Sequence, residues 1–97
     1  MIEYISLAGI SKELREKMIE KNGENEVLDL ACNHQRVKNN IELLKSIGIK
    51  NIEDLLLNKS EIFLRPTEDL ISKLSNINIY EFVNLVNTDY NEFEEIL

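Results

Sequence analysis

Tryptophan is missing from these 97 residues, proline and cysteine occur once each, and glycine three times. With Cys32 alone, no internal disulfide can form, which suits a reducing compartment. So few turn-formers cannot serve the many reversals of a strand-rich fold. The longest apolar runs, such as Leu55-Leu56-Leu57, are three residues long, so nothing is long enough to cross a bilayer as a helix. The opening MIEYIS carries Glu3 and no basic residue ahead of an apolar stretch. No secretory leader is expected, and the expected location is the cytoplasm. A P-loop and a Gly-x-Ser-x-Gly elbow are also lacking, so no enzymatic activity, catalytic residue or cofactor is expected.

What is present is aliphatic and charged. Hydrophobic residues make up 43% of the chain, enough to build a core in one domain covering 1–97. Ile, Leu, Lys, Glu and Asn dominate, and the expected fold is all-α. This usage also suggests a bacterial or phage source. Ser11 is placed to cap a helix in which Ile10, Leu14 and Met18 follow at spacings of four, and Gly23 is placed to end it. A second helix is expected over 24–32 and a third over 35–46, with a break at Asn33-His34. Gly48 closes the third. Asn51 precedes a short helix facing inward through Ile52, Leu55 and Leu56. A further short turn is expected over 59–64. Pro66 opens another helix whose stripe is Leu70, Ile71, Leu74 and Ile77. Phe82, Val83, Leu85 and Val86 form the last long stripe, and Phe93, Ile96 and Leu97 follow.

The chain resembles itself. LLKSIGIKNIEDLL (43–56) aligns with SKLSNINIYEFVNLV (72–86) at an offset of thirty. Leu44 then meets Leu74, Ile47 meets Ile77, Gly48 meets Asn78, Ile52 meets Phe82 and Leu55 meets Leu85. A weaker third copy, LAGISKELREKM (7–18), has Gly9 at the glycine position. Gly and Asn are the residues that most readily take the left-handed conformation that ends a helix. Gly9, Gly48 and Asn78 are therefore expected at corners between helices. The expected architecture is a set of short helical hairpins stacked as a small solenoid-like bundle.

Two family resemblances attach to the same stretch. Residues 43–77, LLKSIGIKNIEDLLLNKSEIFLRPTEDLISKLSNI, resemble the mitochondrial transcription termination factor (mTERF) repeat. That repeat is a helix pair of about thirty residues with a short 3-10 piece. Ser60 stands where that family usually has proline ahead of the Glu-Ile pair, here Glu61-Ile62. The resemblance implies a right-handed helical solenoid that binds nucleic acid through a basic concave face. LKSIGIKNIEDLL (44–56) is also similar to a helix-hairpin-helix turn, which implies phosphate contact through backbone N–H groups. One of that motif's two usual glycines is present, and Glu53 and Asp54 follow where a phosphate would sit.

Charge divides the chain. Residues 1–50 hold eight basic and eight acidic side chains, whereas 51–97 hold three basic and ten acidic ones, which gives the net −7. An acidic half repels phosphate backbones and suits a basic protein partner. The acidic docking candidates are Glu53, Asp54, Glu61, Glu68, Asp69, Glu92, Glu94 and Glu95. The strip 34–50 leans basic, and Arg36, Lys38, Lys45 and Lys50 are the candidates for nucleic-acid contact, although no aromatic side chains for base stacking are interleaved. Cys32, His34 and Asp29 lie close in sequence, but no second Cys or His exists to complete a zinc site, so no metal is expected. TDYNEFEE (88–95) has Phe93 and Glu94 where a calcium loop needs an oxygen ligand and glycine. The expected function is therefore a small acidic, non-catalytic protein-interaction module: an adaptor, inhibitor or regulator. Nucleic-acid binding through 34–50 is the alternative. A homodimer through an apolar C-terminal edge of Phe93, Ile96 and Leu97 is a further expectation.

Overall fold

Each helix begins where a cap meets an apolar stripe. In the computed structural model, which describes residues 2–97, helix α1 (Lys12–Asn22) starts at Ser11, whose hydroxyl accepts the Leu14 N–H at 3.2 Å. It ends at Gly23, with φ 94° and its N–H on the Ile19 carbonyl. Helix α2 (Glu24–Cys32) follows at once. Asn33 breaks the run before α3 (His34–Ser46), and its amide donates back to the Asp29 carbonyl at 2.9 Å. Then come α4 (Ile52–Asn58), a 3-10 helix (Ser60–Leu64), α5 (Thr67–Leu74), α6 (Ile79–Thr88) and α7 (Glu92–Ile96). No strand occurs among the described residues, and the fold is all-α.

A second 3-10 helix, Ile2–Ala8, precedes all of these. A search for helical spacing near four does not find it. Ile2, Ile5 and Ala8 recur every three residues, the period of a 3-10 helix, and all three pack into the core. This segment lies against α2 and α3, while α1 packs on α2 and α4.

One cluster of buried side chains runs from Ile5 to Phe93. Its stripes follow the expected spacings through Ile10, Leu14 and Met18, through Val37, Ile41 and Leu44, and through Ile52, Leu55 and Leu56. Phe82 and Phe93 meet edge to face, with centroids 5.3 Å apart, and tie α6 to α7. Phe93 is therefore core and not part of an exposed edge; Ile96 remains open at the surface.

The corners differ from expectation in one case. At Gly48, φ is 104°. The Gly48 N–H bonds the Lys45 carbonyl at 3.1 Å and the Ile49 N–H bonds the Leu44 carbonyl at 3.0 Å, the paired pattern that closes a helix through a left-handed residue. Gly9 also has positive φ, at 88°. Asn78 does not: its φ is −78°, and it is the N-cap of α6, accepting the Glu81 N–H at 3.1 Å. The expected match of Gly48 with Asn78 as equivalent left-handed corners is thus corrected. The helix before Asn78 ends at Leu74, and the residues between are spent on a turn that needs no left-handed step. In structural terms Asn78 corresponds to Asn51, since both stand immediately before a helix.

One buried polar residue binds the two halves together. Asn40 on α3 is fully buried, and its amide donates to the carbonyls of Phe63 and Arg65, each at 2.8 Å. Its carbonyl accepts the Thr67 hydroxyl at 2.7 Å. A buried amide with every strong bond made fixes one geometry, here that of α3 against the start of α5.

Candidate interaction surfaces

The basic strip is dispersed by the fold. Arg36 donates to the Leu64 carbonyl at 3.1 Å and lines a polar notch with Asn39, Thr67 and Glu68. Lys38 is exposed further along α3. Lys45 and Lys50 instead line a cleft of about 370 Å³ between the Gly9 turn, α3 and α4. The same cleft is lined by Glu53 and Asp54. The two opposed charge candidates therefore meet in one place, and the cleft is mixed in sign. Its backbone is also committed: the Lys50 N–H donates to the Asn87 side chain at 2.8 Å, and the Asn87 amide returns a bond to the Gly48 carbonyl at 3.1 Å. Asn51 adds a bond to the Val86 carbonyl at 2.8 Å. One N–H of the turn, that of Lys50, is thus taken by α6, and the helix that follows opens with Glu53 and Asp54.

The other acidic candidates are spread along the second half. Glu61 is exposed on the 3-10 helix, and Glu68 and Asp69 lie in the first turn of α5. Asp69 pairs with Lys73 at 3.8 Å, and Glu94 pairs with Lys59 at 3.4 Å. Glu95 is exposed on α7 and Glu92 is half-buried there. The same half of the chain carries an apolar groove with one carboxylate, Glu81, in its wall. This groove of about 300 Å³ is lined by Ile77, Asn78, Glu81, Phe82, Leu85 and Ile96. It lies at the corner between α5 and α6 and extends to α7. Of its lining, Leu85 is 40% exposed and Ile96 36%; elsewhere on α5 and α6, Ile71 is 50% exposed, Ile79 39% and Tyr80 79%. Ile71 and Leu85 were expected inside, and they are not. A signal for this was present: six of the ten residues of α6 are apolar, more than one inward face can use.

The remaining candidates serve local structure. His34 packs its ring on Tyr4, with centroids 5.9 Å apart, and Cys32 is exposed. Asp89 accepts the Asn91 N–H at 3.0 Å, closing the turn into α7. A hydrogen bond with its own backbone is the main cause that holds the exposed Glu3 carboxyl below the usual range. Among the described residues no group of three or more His, Cys, Asp or Glu is arranged to hold a metal ion, and no helix is long and apolar enough to cross a membrane. No known protein family, curated protein or solved structure matches the chain.

Proposed function

We propose that this chain is a non-catalytic protein-interaction module whose contact surface is the apolar groove of α5–α7 and the carboxylates of the same stretch. One observation carries the reading. The most acidic stretch of the chain, 66–97, with seven acidic residues and one lysine, is also where five large apolar side chains are open to solvent. An apolar centre rimmed by charge is the usual anatomy of a protein contact. The acidic charge supplies steering and choice of partner more than raw affinity. The nucleic-acid reading has less support, because Arg36, Lys38, Lys45 and Lys50 do not share one surface and three of them line pockets with carboxylates.

Two measurements test this. In the first, the chain and its Leu85→Glu variant are immobilised side by side and exposed to extract from the source cell. A protein retained by the first and lost by the second is the expected result; identical captures overturn the reading. In the second, labelled duplex and single-stranded nucleic acid are titrated at low salt. Salt-sensitive binding that vanishes on charge reversal of Arg36, Lys38 and Lys45 would transfer the function to the 34–50 strip.

A further inference from the structure

We infer that the groove between the α5–α6 corner and α7 receives a basic amphipathic helix from a partner protein, seated by its apolar stripe. This rests on the interaction reading above and names the chemistry of the occupant.

Three observations lead there. The first concerns shape. Among the described residues there is no strand, so no sheet edge can accept an extended peptide. The groove is walled by helices, and its floor is Ile77, Phe82, Leu85 and Ile96. Such a surface accepts side chains presented at i, i+3 or i+4 and i+7.

The second is internal precedent. The corner at Gly48 is covered by a helix of this same chain. Helix α6 brings Val83 against Gly48, where an added Cβ would lie 3.5 Å from Val83 Cγ1, and binds the 48–51 stretch through Asn87 and Val86. The corner leading into α6 has an open groove in the corresponding place. By position in their helices, Ile52 of α4 corresponds to Ile79 of α6, each directly after its Asn; the first is 7% exposed and the second 39%.

The third is charge. Of the seven carboxylates in 66–97, Asp69 and Glu94 have cationic partners. Glu68, Glu81, Asp89, Glu92 and Glu95 have none within ion-pair distance among the described residues, and Glu81 lines the groove itself. The one lysine of this stretch, Lys73, is held by Asp69 and by the Leu97 carbonyl at 3.3 Å. A partner with Lys or Arg beside its apolar stripe pairs with Glu81 in the groove and is drawn in by the unpaired carboxylates elsewhere in the stretch. A second copy of this chain would bring like charge against like, which selects against self-docking.

The test uses three fluorescein-labelled 18-residue peptides and the intact chain. One has a single leucine stripe and lysine elsewhere; one is a scramble of the same composition; one has glutamate in place of lysine. Fluorescence anisotropy at low and moderate salt reads binding. The stripe peptide should bind about tenfold or more tighter than the scramble, because apolar anchors and not charge alone must seat it. Leu85→Glu and, separately, Ile96→Ser should each weaken it by roughly tenfold with unchanged circular dichroism. Glu81→Lys should weaken it roughly threefold and flatten the salt dependence. Equal binding of stripe and scramble overturns the inference, as does equal binding of the glutamate peptide. A dimer in sedimentation that Leu85→Glu dissolves also overturns it, by giving the groove to a second copy. The inference can fail in these ways while capture from extract still depends on Leu85, in which case the broader interaction reading stands.

Discussion

Between α3 and α4 the chain reverses through Gly48 at φ 104°, and α6 lies over the turn. Between α5 and α6 it reverses with no positive φ, and a groove lies open beside the turn. In both an Asn precedes an Ile at the start of the outgoing helix, yet Ile52 is 7% exposed and Ile79 39%. The difference shows that burial here is decided by what crosses a corner and not by the corner's own residues. The first corner has its cover within the chain. The second has spare apolar surface and spare carboxylates, and so has the means to recruit a cover from outside.

The contrast should be largest in the response to truncation. Leu55→Ala removes a fully buried side chain from the centre of the first unit and should cost about 3–4 kcal/mol. For a domain of this size each kcal/mol lowers Tm by roughly 4–8 °C, which thermal unfolding by circular dichroism reads directly. A loss below about 1 kcal/mol would mean the first corner is no more closed than the second. Next comes Asn40→Ala, which strips two carbonyls and one hydroxyl of their buried partner. About 3 kcal/mol is expected, with m unchanged if the halves still unfold together. A second transition confined to the C-terminal helices would instead show that Asn40 alone couples them.

The two corners can also be compared by exchanging their chemistry. Gly48→Ala places a side chain at a strained φ; the nearest foreign atom, Val83 Cγ1, is at ordinary contact distance, so the cost is conformational. About 1–2 kcal/mol is expected, and less for Gly48→Asn, since Asn tolerates left-handed backbone better. At Asn78 glycine and asparagine exchange places, and asparagine is the best residue. Asn78→Ala loses the cap on the Glu81 N–H and should cost about 1 kcal/mol, while Asn78→Gly should cost a few tenths. Chemical denaturation of the four variants reads both orders. If Asn78 ranked like Gly48, the corners would be equivalent after all.

Much of this molecule could be read from its letters where a local rule decides the outcome. Ser11, Gly23 and Gly48 mark helix ends because capping depends on one or two residues. The stripes of α1, α3 and α4 follow helical spacing because each has one inward face. What could not be read depended on partners distant in sequence. Asn40 looks like any surface amide until the carbonyls of Phe63 and Arg65 are placed beside it. Asn78 has two local uses, left-handed corner and helix cap, and the length of the preceding turn selects the second. The basic strip looked continuous along the chain, but the end of α3 directs Lys45 toward Glu53 and Asp54 while Arg36 turns to Leu64. The groove was half legible. Its acidity was plain from composition, and the excess of apolar residues in α6 was countable, but which of them stay uncovered is set by where α5 and α7 pack.

A small expected effect on stability bears most directly on the comparison. Leu85→Ala shortens a side chain that lines the open groove, at a position already 40% exposed. Little cavity can form there, so the cost should be about 0.5 kcal/mol, several times less than at Leu55. Thermal unfolding of the two alanine variants in one buffer gives the ratio. With a partner bound, the ratio should narrow, because a covering helix turns Leu85 into a buried side chain and the variant then forfeits binding energy as well as packing. If Leu85→Ala proves as costly as Leu55→Ala in the chain by itself, α6 already has its cover, and no opening remains at the second corner for another protein to fill.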